Sequence, residues 1–213
     1  MMPQNPADES EFNPPDPSTA IEVEQKFHLD DPRRFESALR SVGAAEAPIE
    51  QHADTYYRHP ARDFAQTREA LRIRRVVTHR GQSIALVTYK GPYLPGEVKS
   101  RPELEWRIDV GDEGGRNFAQ LLGHLGFIES LTVAKSRRPF TLDRGGRCVV
   151  VSIDDAGSLG CFSEIETIAE NATVVPDCQQ IVASLAADLG LDRPERRSYL
   201  TMALATLGQN RVT

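Results

Sequence analysis

Near its start the chain reads Ile21-Glu22-Val23-Glu24-Gln25-Lys26-Phe27-His28-Leu29, and no other stretch restricts the fold as strongly. In an extended backbone successive side chains point to opposite faces. Glu22, Glu24, Lys26 and His28 therefore share one face, and Ile21, Val23, Phe27 and Leu29 the other. One strand of this kind is ordinary, with its polar face in water and its apolar face on a core. The rest of the chain repeats the pattern with charges of chosen sign.

Seven further strands are expected, at 51–58, 70–78, 83–90, 102–110, 127–140, 147–155 and 161–168. Asp143-Arg144-Gly145-Gly146 marks a hairpin turn between the sixth and seventh. Helices are expected after Asp31-Pro32 up to Gly43, over 113–125, over 176–189 and over 195–207, each with apolar residues at helical spacing. The segment 93–101 holds Pro95 and Gly96 and reads as a mobile loop, and 59–67 as a second loop. Residues 1–19, rich in Pro, Asp, Glu, Ser and Asn, have too little apolar surface to order themselves and read as a disordered tail. The rest, 20–208, reads as one domain of the α+β class. Its eight strands suit a closed antiparallel barrel with helices packed outside.

The charged faces of these strands collect Glu22, Glu24, Glu103, Glu105, Asp154, Glu164 and Glu166 with Lys26, Arg72, Arg74, Lys90, Arg107, Lys135 and Arg137. Their signs are segregated: strands three, four and six offer only cations, and strand eight only carboxylates. A surface tuned for solubility intersperses signs. Turned inward, these faces make a charged lumen that is untenable dry, because each ion costs several kcal/mol to desolvate. Such a lumen calls for water and a complementary ligand. The complement to Arg and Lys is a polyanion, and phosphate suits the Arg fork. The complement to clustered carboxylates is a hard divalent cation, Mg²⁺ or Mn²⁺. A metal–triphosphate complex satisfies both. A flat sheet with one solvated charged face yields the same pattern, since closure is not readable from spacing.

The 213 residues carry 39% hydrophobic and 26% charged side chains, as globular proteins do, and a formal net charge of −6 that disfavours nucleic acid as a partner. Cys148, Cys161 and Cys178 lack metal-ligand spacing and read as thiols of a reducing compartment. No apolar run reaches membrane-spanning length and the start lacks a signal-peptide layout, so a cytoplasmic location without membrane contact is expected.

Glu22-Val23-Glu24-Gln25-Lys26 resembles the Glu-x-Glu-x-Lys signature of the CYTH superfamily, the triphosphate tunnel metalloenzymes. Leu71-Arg72-Ile73-Arg74, Lys90-Gly91-Pro92, Glu103 and Glu105, Lys135-x-Arg137, Asp154 and Phe162-Ser163-Glu164-Ile165-Glu166 follow in that family's order. The resemblance implies an eight-stranded tunnel barrel that hydrolyses or cyclises triphosphates with Mg²⁺ or Mn²⁺. It implies Glu22, Glu24 and Glu164 as metal ligands supported by Asp154 and Glu166. Lys26, Arg72, Arg74, Lys90, Lys135 and Arg137 become a triphosphate cradle, with Glu22, Glu24, Lys26, Lys90 and Arg137 nearest the chemistry. Glu103 and Glu105 would orient the cations or hold a second metal, and Arg107 would add to the cradle. A one-residue register slip would exchange Arg137 for Arg138.

Asp54-Thr55-Tyr56-Tyr57 and the run from His59 to Arg72 are most similar to the class IV adenylate cyclase branch, for which ATP is the substrate and a homodimer an expected assembly. The alternatives are a triphosphatase acting on inorganic, nucleoside or thiamine triphosphate, and a non-catalytic organophosphate-binding module. No base pocket and no general base stand out in the sequence.

Overall fold

The computed structural model describes residues 20–209; the tail expected over 1–19 lies outside them. Alternation of apolar and charged residues drives β1 (Ile21–His28), β3 (Glu50–Arg58), β4 (Ala70–Val77), β5 (Ser83–Lys90), β6 (Lys99–Arg107), β7 (Ile128–Arg144), β8 (Arg147–Asp155) and β9 (Cys161–Ala169). A two-residue strand, β2 (Ala45–Glu46), adds to the edge of β7. The order β7-β3-β4-β5-β6-β1-β9-β8 returns to β7 through a β7–β8 pairing, and every pairing is antiparallel. The result is a closed eight-stranded barrel. Closure removes the sheet edges that would otherwise expose unpaired backbone groups.

β7 is 17 residues long because it serves two neighbours, its first part pairing with β3 and its second with β8. β6 begins at Lys99, three residues before the expected start, so the end of the anticipated loop 93–101 is strand. The closing turn of the hairpin is Gly145-Gly146, both at positive φ, which glycine adopts without a Cβ clash.

The main apolar core lies outside the barrel. Val23 and Phe27 of β1, Val149 and Val151 of β8 and Ile165 of β9 turn outward under two helices, α1 (Pro32–Ser41) and α4 (Val175–Asp188). α1 starts where Asp31 accepts a hydrogen bond from the Arg34 amide at 3.0 Å and Pro32 occupies the first turn; Phe35 and Leu39 are its buried stripe. α4 buries Cys178, Val182 and Leu185 on β1 and β9. α3 (Arg116–His124) covers Tyr57 and Ile73 with Leu122. A four-residue helix, α2 (Phe64–Thr67), lies in the expected 59–67 loop, capped by Asp63. The last helix, α5 (Tyr199–Gln209), starts four residues later than expected and packs with Tyr56, Val133 and Phe162, residues on the inner face. With its apolar residues on the helices outside, the barrel keeps its charges within.

Candidate active site

Each of these lumen cations has a carboxylate that the strand register places opposite it. Arg74 is the cross-strand partner of Asp54, Arg137 of Asp154, Lys90 of Glu103 and Lys26 of Glu164. Asp54 accepts from Arg74 Nε at 2.7 Å, Arg74 Nη2 at 2.8 Å and Arg72 Nη1 at 3.1 Å. Burial pushes its carboxyl group up, but Arg74 and Arg72 outweigh that and hold it far below the usual carboxylate range. Asp154 accepts from Lys135 Nζ at 2.7 Å, from Arg137 Nε at 2.8 Å and Nη2 at 2.6 Å, and from the Tyr199 hydroxyl at 2.8 Å. Against burial, Arg137 and Lys135 hold it down at about 2. Arg137 also bonds Glu164.

Lys90 Nζ lies 2.6 Å from Glu22 and 2.9 Å from Glu103. Burial alone would lower its pKa; Glu103 and Glu22 raise it instead. Lys26 is buried and has only Glu164, at 3.8 Å, as an ion-pair partner among the described residues. Burial brings it down to about 8. His52 is also buried, behind the cation wall. Its Nε2 donates to Glu50 at 2.8 Å, since a carboxylate only accepts, and Nδ1 has no partner. Burial, then Arg74, Arg137 and Lys135, drive its pKa down to about 2, so it is neutral.

The carboxylate side is arranged differently. Glu24 and Glu166 are direct cross-strand partners on β1 and β9. Glu24 has only long contacts, 3.5 Å to Lys99 and 3.9 Å to Arg101. Glu166 takes no hydrogen bond or ion pair among the described residues. Burial, with repulsion from Glu22 and Glu164, outweighs the attraction of Arg137 and pushes it up to about 7. Glu24 and Glu166 line, with Lys26, Arg74, Lys90 and Arg137, one cavity of about 1990 Å³ that runs through the barrel interior.

A closed barrel with a cation wall facing carboxylates is matched by the CYTH domain family over residues 20–199. The chain belongs to the CYTH family. A Methanocaldococcus jannaschii protein named as a candidate adenylate cyclase is 32% identical over 186 residues, covering 85% of this chain and 98% of that one. The adenylate cyclase CyaB of Aeromonas hydrophila is 28% identical over 199 residues, covering 89% and 92%. The solved structure of PH1819 from Pyrococcus horikoshii is 35% identical with a TM-score of 0.77, covering 87% of this chain and 99% of that one.

CYTH proteins are metal-dependent, which raises the question of whether these residues suit a metal. Among the described residues no three carboxylate, histidine or cysteine groups are gathered to hold an ion as they stand. The reason is visible in the pairing: Glu22 and Glu164 turn to Lys90 and Arg137. The donor chemistry nonetheless fits a hard divalent cation. Glu24 and Glu166 are oxygen donors facing each other, and a buried carboxylate crowded by Glu22 and Glu164, as Glu166 is, is what such a cation relieves.

One expected position needs correction. Arg107 is exposed and bonds Asp109 at 2.5 Å, because β6 has passed beyond the lumen there; it does not join the cradle. Asp154 is fully buried behind the lining, and its oxygens accept from Lys135, Arg137 and Tyr199. Glu105 sits toward the rim, accepting from Thr88 at 2.6 Å and lying 3.8 Å from Arg72. The register falls on Arg137, while Arg138 points outward to Glu36 of α1.

The CYTH lumen also contains residues that the charge pattern alone left out. Arg101 and Lys99 face Glu22 and Glu24 across the β1–β6 pairing. They share the parity of Glu103 and Glu105, but the Gly-Pro-rich stretch before them hid the strand. Asp54 shares its face with Tyr56, yet nothing in spacing reveals that it clamps two arginines. Tyr199 had no signal: it reaches the lumen from a helix.

Proposed function

We propose that this CYTH protein is a divalent-metal-dependent adenylate cyclase of the class IV type, converting ATP to cyclic AMP and pyrophosphate. The observation that carries this reading is the buried cation wall, Lys26, Arg72, Arg74, Lys90, Lys135 and Arg137, facing Glu24 and Glu166 across one lumen. It is supported by full-length likeness to proteins named as adenylate cyclases.

The cations neutralise the triphosphate and spread the charge that develops as the bond to the leaving group lengthens. Asp54 and Asp154 keep the guanidinium groups of Arg74 and Arg137 in fixed orientations, so little reorganisation accompanies the reaction. The ribose 3′-hydroxyl oxygen forms a bond to the α-phosphorus while its proton passes to lumen water, the bond from the α-phosphorus to the bridging oxygen breaks, and pyrophosphate leaves with that oxygen and the displaced negative charge. Glu24 and Glu166, with Glu22 and Glu164 beside them, would hold Mg²⁺ or Mn²⁺. That ion supplies Lewis-acid charge at phosphoryl oxygens when bound.

Hydrolysis of a triphosphate is the second reading. It is favoured by the cation wall itself, which addresses the phosphates of any triphosphate. Purified protein with Mg²⁺ or Mn²⁺, given ATP and inorganic triphosphate in parallel, separates the two. Cyclic AMP and pyrophosphate, lost in Glu24→Gln, are the expected products; orthophosphate without cyclic AMP would replace the cyclase by a triphosphatase. No turnover of either would leave a binding module.

A further inference from the structure

Tyr199 opens α5, yet its side chain points into the lumen. Its hydroxyl donates to Asp154 Oδ2 at 2.8 Å. Lys26 Nζ lies 3.9 Å from the ring centroid and Lys135 Nζ 4.4 Å from it, while Phe162 stands edge-on at 5.5 Å. The chain entering α5 is tied to the strand that carries Lys26. Phe27 bridges to Pro194, the His28 amide donates to the Arg193 carbonyl at 3.0 Å, and the Glu195 amide to the Lys26 carbonyl at 2.8 Å.

Lys26 differs from the other lumen lysines. Lys90 hydrogen-bonds Glu22 and Lys135 hydrogen-bonds Asp154. Lys26 Nζ has no hydrogen-bond acceptor among the described residues, and Glu164 stays 3.8 Å away. A buried ammonium needs compensation to stay charged. The negative face of an aromatic ring provides it without engaging the three N–H donors. A carboxylate in the same place would occupy those donors and cancel the charge that a phosphate is to meet.

We propose that Tyr199 is a positioning residue for triphosphate binding: its ring holds the Lys26 and Lys135 ammonium groups in place, with the Lys26 donors left for phosphoryl oxygens. The inference rests on the reading of the lumen as a triphosphate site, and it makes α5 part of that site instead of a cover over it. The ring's electron density is then what sets affinity, more than its bulk or its hydroxyl.

The test is a series in the full-length protein: Tyr199→Phe, then position 199 as difluoro- and pentafluorophenylalanine, which withdraw π density while nearly preserving shape. Binding of inorganic triphosphate is read by titration calorimetry, with metal chelated and with Mg²⁺ present. Tyr199→Phe is expected to bind within about threefold of wild type, and affinity to fall stepwise to at least about tenfold weaker at pentafluorophenylalanine. In turnover, KM should follow the series and kcat change less. Equal affinity along the series would overturn the proposal, leaving the ring as packing only. If Tyr199→Phe alone loses as much as the pentafluoro form, the hydroxyl carries the effect and the proposal also falls. Wild-type protein that binds no triphosphate would instead sink the reading of the lumen, and this inference with it.

Discussion

The two sides of the lumen are built from the same residue types and treated in opposite ways. On the cation side, two buried aspartates each clamp a pair of cations, Asp54 with Arg72 and Arg74, and Asp154 with Lys135 and Arg137. On the carboxylate side, Glu24 and Glu166 oppose each other with only long contacts or none. The cation wall is complete before any ligand arrives. The carboxylate wall is held together against its own repulsion by the rest of the barrel. Free energy of folding therefore flows into the first side, and the second is left to be stabilised by what binds there.

The largest expected effect tests the first side. Asp154→Asn leaves Lys135 and Arg137 without their shared counter-charge, and losing one partner of a buried ion pair costs about 3–5 kcal/mol. Urea unfolding measures this directly; a midpoint unchanged from wild type would show that the clamp contributes nothing. The second side should behave in reverse. The double change Glu24→Gln, Glu166→Gln removes repulsion, so the urea midpoint of metal-free protein should hold or rise. Metal-dependent turnover should nevertheless fall at least about 100-fold, or about 2.7 kcal/mol of barrier. A fall in stability matching that of the Asp154 variant would erase the contrast between the two walls.

His52 sharpens the comparison through pH, because it sits beside the cation wall and is repelled by it. Unfolded, a histidine takes up its proton near pH 6.5, whereas folded His52 stays neutral down to about 2. Stability is therefore lost as pH falls below the unfolded value. His52→Gln should remove this loss, making the variant less acid-sensitive than wild type by about 2 kcal/mol at pH 5. Parallel stability–pH curves over pH 5–7 would contradict it. The smallest effect is expected at Arg107, outside both walls. Arg107→Ala should leave triphosphate affinity within about twofold of wild type, because an exposed ion pair contributes little. A larger loss would return Arg107 to the cradle.

Much of the barrel was legible because period-two alternation survives in the strands that carry charge. β1, β5, β8 and β9 start or end within a residue of their expected limits, since turn residues and charge alternation mark both ends. β6 starts three residues before the sequence signals it, because Pro95 and Gly96 break the local pattern just before Lys99 and Arg101, which lie opposite Glu24 and Glu22. A face can be read from parity, but the place where it leaves the lumen cannot, and Arg107 was lost to that limit.

By itself the sequence determined which side chains share a face and that those faces are charged, because the pleat of a strand is local. It also determined the chemistry such faces can bind, and carried the likeness to CYTH proteins. Only the tertiary structure decided that the faces close on one another, since the β1–β9 and β3–β7 pairings that complete the barrel join strands far apart in the chain. Register also chose the counter-ions, setting Asp154 against Arg137 and Lys135 and turning Arg138 away from the lumen. It brought in Tyr199, a residue whose helix has no strand parity to announce it, and set its ring against two lysines. Contacts between residues distant in the chain depend on how the elements pack, and local periodicity carries no record of that.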